Sequence, residues 1–206
     1  MTDAGTRARA RGKLFLRGGD GTHEWIDFDR SAIAERYNRL ARVIPFFDWL
    51  FFQPPGFRAK AVGPTGRVYG ADLSPGMLAQ ARAACDRNSW RNVELIECDA
   101  ADYRAPVPLD GVMFGLSYNT MPHHLTVLRE AWNQLRPGGR LVIMDAKLPP
   151  GLGGKLILPF SLWLMKRTML GNPLIKPWED LARFTDELTM EQFMFGSWYI
   201  CCGIKR

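Results

Sequence analysis

The chain has 206 residues, 47% of them hydrophobic and 23% charged, which suits one α/β domain with a full core or a domain with a helical extension. Its net charge of +6 is not gathered into a basic element with interleaved aromatics, so no nucleic-acid partner is expected. The cysteines Cys85, Cys98, Cys201 and Cys202 show neither CxxC nor metal-ligand spacing, and the first thirteen residues lack the apolar core of a signal peptide. The expected compartment is therefore a reducing cytoplasm, with membrane association as an option, and no metal is expected.

Arg7, Arg9, Arg11 and Lys13 belong to a polar, glycine-rich opening stretch read as a flexible basic leader over 1–28. Such a leader is either a solvated tail or a contact for an anionic membrane surface. A single domain is expected over 29–206. Ser31 to Ala41 reads as a helix with Ile33, Tyr37 and Leu40 on one face. Ile44 to Phe52 is very apolar, which suits core, a lid over a pocket or a membrane-surface helix.

Arg67 to Ala71 reads as a short strand after Gly63-Pro64-Thr65-Gly66 turn chemistry. Ser74 offers an N-cap and Pro75 a pre-set φ, so a helix runs from there toward Arg87. Asp72 is left at the carboxyl end of the strand, where open α/β sheets bind ligands and an acidic group suits the hydroxyls of a ribose. The alternative is that Asp72 only helps to cap the helix. Val93 to Cys98 is an alternating strand ending at Asp99-Ala100, and Leu109 to Leu116 a third strand closing at Ser117-Tyr118-Asn119. A helix over His123 to Leu135 is broken by Arg136-Pro137-Gly138-Gly139, and Arg140 to Asp145 is a fourth strand. The alternation of strand, helix and strand predicts a mostly parallel sheet wrapped by helices.

Residues 146–177 interrupt that rhythm as an apolar insertion or lid, whose run from Leu156 to Met165 is too short to cross a bilayer. Trp178 to Phe184 reads as a short helix, and Gln192 to Lys205 as a closing antiparallel hairpin joined at Gly196-Ser197.

Val68-Tyr69-Gly70-Ala71-Asp72-Leu73-Ser74-Pro75-Gly76-Met77-Leu78, the pair Asp99-Ala100 and the run Leu135 to Met144 resemble, in order and spacing, the class I S-adenosylmethionine-dependent methyltransferases of the ubiquinone/menaquinone type. The resemblance implies a Rossmann-like α/β fold, S-adenosylmethionine as cofactor and methyl transfer to a small, apolar or lipid-like acceptor. It also implies that Asp72, with Leu73 beside it, holds the ribose, and that Met77 packs near the adenine. Asp99 would accept from the adenine amino group with Ala100 alongside, and Ser117 would line the pocket near the reacting methyl.

The chain departs from the family at one point. A first strand ending in a Gly-x-Gly-x-Gly turn belongs just upstream of the Asp72 strand, to let the backbone approach the methionine portion of the cofactor. Phe57 to Val62 runs directly into Gly63, and the roughly 20 residues that a strand and crossover require are absent. That first central strand is expected to be missing or replaced; Leu14-Phe15-Leu16 with its following glycines is the one replacement candidate. A second reading follows, in which a catalytically impaired relative serves as a binding or regulatory partner.

Methyl transfer from a sulfonium is an in-line displacement governed by proximity and orientation. A general base is needed only where the acceptor must lose a proton. His123, His124 and Tyr118 are the candidates, against the simpler reading of His123 and His124 as solvent-facing or capping residues.

Overall fold

The computed structural model describes residues 12–17, 23–28, 31, 34–35, 37–38, 62–63, 65–121, 123–167, 172, 174–193 and 196–206. The apolar run Ile44 to Phe52 lies outside the described residues. Strand β1 (Gly12–Arg17) pairs antiparallel with β2 (His23–Phe28) as a two-stranded sheet of its own, with Leu14 opposite Ile26 and Phe15 opposite Trp25. Both strands fall within the stretch expected as a leader. Leu14-Phe15-Leu16 therefore does not replace the missing strand of the main sheet. The reason is legible afterwards: His23 to Phe28 supplies a nearby partner with its own apolar residues, and a local antiparallel pairing closes a far shorter loop than a long-range parallel one. A helical segment follows, containing Ser31, Ala34, Glu35, Tyr37 and Asn38.

The expected α/β order then appears: β3 (Val68–Asp72), α1 (Pro75–Arg87), β4 (Val93–Glu97), β5 (Leu109–Gly115), α2 (His124–Gln134) and β6 (Leu135–Ala146). β3 pairs parallel with β4, and β5 parallel with β6. After these come α3 (Leu152–Arg167), α4 (Pro177–Leu181), β7 (Leu188–Phe193) and β8 (Trp198–Ile204), the last two forming the closing hairpin. β8 lies antiparallel against β6, giving a four-stranded order β5-β6-β8-β7.

The helix ends at Gln134, just before Arg136-Pro137-Gly138-Gly139 as expected, but the strand expected from Arg140 starts already at Leu135, and this run is a bulge inside β6. The register with β5 jumps from Leu109↔Leu135 to Gly111↔Arg140, and Gly138 takes φ +78°, a conformation that favours glycine. The Gly138 and Lys205 backbones stitch this bulge to the end of the chain: the Gly138 N–H donates to the Lys205 carbonyl at 2.7 Å and the Lys205 N–H to the Gly139 carbonyl at 2.9 Å. The Lys205 ammonium caps α2 by donating to the carbonyls of Trp132, Asn133 and Leu135, where both hydrogen bonding and the helix dipole favour a cation.

The sheet is divided where the sequence lacks a strand. Among the described residues, β3 pairs only with β4 and β5 only with β6, and no strand joins β3 to β5. The core follows the division. It is built by Phe114, Tyr118, Val127, Leu128, Trp132, Leu135, Leu141, Ile143, Ile175, Leu181, Tyr199 and Cys201, from β5 onward, joined from the earlier chain by Ala101, while Leu78 and Ala84 are buried separately on α1. No residue of β3 or β4 is fully buried.

Candidate active site

The carboxyl ends of β3, β4, β5 and β6 carry the chemistry-bearing residues. β3 ends at Asp72, and the next residues turn into α1. Ser74 is the N-cap, its hydroxyl accepting from the Met77 N–H at 3.2 Å, and Pro75 occupies the first turn. Asp72 Oδ1 accepts from the Ser74 N–H at 2.7 Å. The capping role thus belongs to Ser74, while Asp72 closes the turn ahead of it and stays at the strand tip. Burial raises the pKa of Asp72 and the Ser74 N–H partly opposes that shift. A half-buried carboxylate of this kind is stabilised by any hydroxyl donor that a ligand brings.

β4 reaches the same edge one strand away. Asp72 is in register with Glu97, and the Cys98 N–H donates to the Asp72 carbonyl at 3.2 Å, so Asp99 follows directly at the neighbouring strand tip. Its Oδ1 accepts from the Ala101 N–H at 2.8 Å. Ala100 packs against the main core, and Leu73 and Met77 are half-buried.

The helical segment near residue 37 joins the β3 edge to the β5–β6 edge. The Asn38 side-chain oxygen accepts from the Ser74 hydroxyl and from the Gly76 N–H, both at 2.7 Å. The neighbouring Tyr37 phenol meets the Thr120 side chain, with the carboxylates of Asp72 and Asp145 both acting on it, and its pKa is raised chiefly by burial. Tyr37 and Asn38 were not among the residues singled out from sequence as site residues. Tyr37 was placed on an apolar helix face, and only the tertiary fold brings that face over the strand ends.

At the end of β5, Leu116 takes φ +56°, a costly conformation for a bulky residue, and its N–H donates to the Met144 carbonyl at 2.8 Å. This turn sets Ser117, whose carbonyl accepts from the Thr120 hydroxyl at 2.7 Å, and the short 3₁₀ turn Tyr118–Thr120. At the end of β6, Asp145 is buried. It accepts from the Ala146 and Asn119 N–H groups at 2.8 and 3.3 Å, yet burial pushes its carboxyl up to about 6.

Of the acid–base candidates, His123 is exposed. His124 is half-buried; its Nε2 lies 3.7 Å from Asp180 Oδ2, and its ring packs edge-on against Tyr118 at 5.3 Å. Tyr118 is fully buried, and its hydroxyl donates to the same Asp180 oxygen at 3.2 Å. Burial lowers the pKa of His124 and raises that of Asp180, each opposed by the attraction between the two. Tyr118 is held well above the usual phenol range by burial and by Asp180, so it acts as a fixed donor. Asp180, on α4, was missed from sequence because 56 residues separate it from His124. The buried Tyr199 hydroxyl meets the Asn119 side chain and the His124 ring meets the Met121 backbone, so these polar groups brace one another below the strand ends.

A separate cavity of about 780 Å³ opens at the opposite, amino ends of β3 and β4, lined by Gly66, Arg67, Val68, Trp90, Asn92 and Val93 among others. None of the candidate residues lines it, and Gly63 and Gly66 stand at that end rather than beside Asp72.

Comparison with known proteins places this geometry. Residues 56–139 match the family model described as "Methyltransferase domain". The demethylmenaquinone methyltransferase of Geobacillus sp. (strain WCH70) is 33% identical over 125 residues, 60% of this chain and 53% of that protein. That of Listeria welshimeri is 35% identical over 100 residues, 48% of this chain and 42% of that protein. The chain thus spans about half the length of the curated relatives it matches. Among solved structures, phosphoethanolamine N-methyltransferase 2 of Haemonchus contortus, in complex with S-adenosyl-L-methionine, aligns over 89% of this chain and 62% of its own with TM-score 0.62 and 15% identity.

Proposed function

We propose a function from one premise: by the sequence of residues 56–139 and by its Rossmann-like fold, the chain belongs with the class I S-adenosylmethionine-dependent methyltransferases. Its reaction is methyl transfer from S-adenosylmethionine to a small, quinone-type, lipid-like acceptor. The observation that carries the cofactor is the placement of Asp72 and Asp99 at the tips of two adjacent parallel strands, each already oriented by a backbone N–H. Asp72, with Leu73 beside it, would accept from the ribose hydroxyls, and Asp99, with Ala100 alongside, would accept from the adenine amino group. Met77 would pack against the base, and Ser117 would line the pocket near the reacting methyl. The residues fit the nucleoside half of the cofactor. For its methionine half, no glycine-rich turn stands beside Asp72 among the described residues.

The cofactor supplies an activated methyl group on a sulfonium. The remainder is orientation and proton handling by this chain. Methylating a phenolic ring requires the ring to lose a proton, and the base proposed to take it is His124, half-buried 3.7 Å from Asp180. Burial keeps the imidazole neutral, and Asp180 stabilises the imidazolium that forms. Tyr118 holds Asp180 in place. The quinone-type acceptor is drawn from the demethylmenaquinone methyltransferases that the chain resembles.

The test is transfer of a labelled methyl group to a demethylated naphthoquinol dispersed in detergent. Label in the lipid fraction, lost in His124→Gln, supports the reading; cofactor binding without transfer to this acceptor sinks the quinone assignment. A second reading, a non-catalytic relative, is favoured by the divided sheet, and it predicts no binding of the demethylated cofactor at millimolar concentration.

A further inference from the structure

Helix α3 presents an unusual face. Leu152, Leu156, Ile157, Phe160 and Trp163 are all exposed, between 46% and 73% of their surface; Leu152, Leu156, Phe160 and Trp163 follow one another at three to four residues and Ile157 flanks them on the same face. Gly154 is buried and Leu158 half-buried, on the opposite side. Over its described side chains the helix thus turns its apolar stripe outward. Phe160 and Trp163 stack on each other at 5.7 Å within that stripe.

The sequence that carries it is basic up to Trp178, where Glu179 follows and pairs with Lys176 at 2.7 Å. Residues 147–178 contain Lys147, Lys155, Lys166, Arg167 and Lys176 and no aspartate or glutamate. Lys155 is exposed beside the stripe. We infer that α3 docks in the plane of an anionic lipid surface, with the Leu152–Trp163 stripe among the acyl chains and Lys155 at the headgroups. At 16 residues the helix is about 24 Å long, shorter than the roughly 30 Å hydrocarbon layer, and among the described residues no helix is long and apolar enough to cross a membrane. Lying flat is the geometry open to it. A second copy of the chain is a poorer occupant, because closing two such faces on each other sets one acid-free basic segment against another.

The inference does not depend on methyl transfer, and its test is run without cofactor or acceptor. The full chain is sedimented with vesicles of phosphatidylcholine alone and of phosphatidylcholine with about a third phosphatidylglycerol. The expected result is binding to the anionic vesicles, weak binding to the neutral ones, and release as salt is raised. Phe160→Ser with Trp163→Ser should weaken binding by roughly tenfold or more. Lys155→Glu, which leaves the stripe intact, should weaken it by about fivefold. Equal binding to both vesicle types, or none to either, overturns the inference. So does a concentration-dependent dimer of the wild-type chain that the serine variant abolishes, since the face would then be a self-interface. If the serine variant fails to fold, Lys155→Glu and the salt dependence of the wild type decide the matter.

Discussion

The two halves of this sheet both carry apolar strands and are packed to different depths. In the β5-β6-β8-β7 half, Leu141, Ile143, Tyr199 and Cys201 are fully buried, α2 and α4 contribute Val127, Leu128 and Leu181, and β8 alternates strictly between buried and half-buried residues. In the β3–β4 half, Tyr69, Ala71, Leu95 and Ile96 reach only half burial, although Gly70 allows Leu95 to approach so closely that a Cβ there would meet its Cδ2 at 2.9 Å. Composition accounts for part of the difference, since β4 carries Glu94 and Glu97 where β8 carries no charge, and pairing for the rest. A strand is buried by its neighbours on both sides, and β3 lacks one of them among the described residues. Stability is therefore concentrated in the β5-β6-β8-β7 half, while the β3–β4 half, proposed to hold the nucleoside, is the looser one.

The comparison can be broken most forcefully in the core. Ile143→Ala should cost about 3 kcal/mol in chemical denaturation, by lost burial and the cavity left behind. Val68→Ala in β3 should cost no more than about 1 kcal/mol, because the side chain is only half-buried. Equal costs would mean that β3 is as well packed as β6.

The next effect is pH-dependent and belongs to the well-packed half. Asp145 has its folded pKa raised from 3.8 to about 6, so its folded state holds a proton more tightly than the unfolded chain does. The stability this confers is full below about pH 3.8 and is lost as pH rises through about 6, by up to about 3 kcal/mol. Asp145→Asn should remove that slope from the pH dependence of Tm between those limits. A slope unchanged in the variant would place the titrating group elsewhere.

Smaller effects sharpen the picture of the looser half. Asp72→Asn should weaken binding of S-adenosylhomocysteine by about tenfold to a hundredfold, the weight of hydrogen bonds to a charged acceptor, with little change in Tm. Ser74→Ala should cost about 1 kcal/mol through the lost N-cap. Its effect on the cofactor should be smaller than that of Asp72→Asn, since Ser74 orients Asp72 only through its backbone N–H.

What the sequence disclosed follows the range of the forces involved. Ser74-Pro75 marks the start of α1 because capping is settled within one turn, and the strands ending at Asp72 and Asp99 are visible from their patterning and following residues. The missing glycine turn is legible as a shortage of chain between Val62 and Gly63, and the division of the sheet is its structural counterpart. The pairing of β1 with β2 was hidden because a single apolar cluster was weighed without its partner. Asp180 and Tyr37 were hidden for another reason: their contacts to His124 and Thr120 are made across long stretches of sequence, where side-chain type says nothing about neighbours. The Pro137-Gly138-Gly139 bulge reads as a loop in isolation, and only its tie to Lys205 keeps it within β6.

Hydrogen exchange of the full chain, with and without S-adenosylhomocysteine, tests most directly whether the divided sheet still grips a nucleoside. Without ligand, the amides of β6 and β8 should be the best protected and those of β3 and β4 markedly faster. Saturating ligand should slow exchange at residues 72–78 and 98–101 and leave β7 unchanged. Ligand in the millimolar range that slows neither stretch would contradict the assignment of Asp72 and Asp99 as the cofactor's anchors.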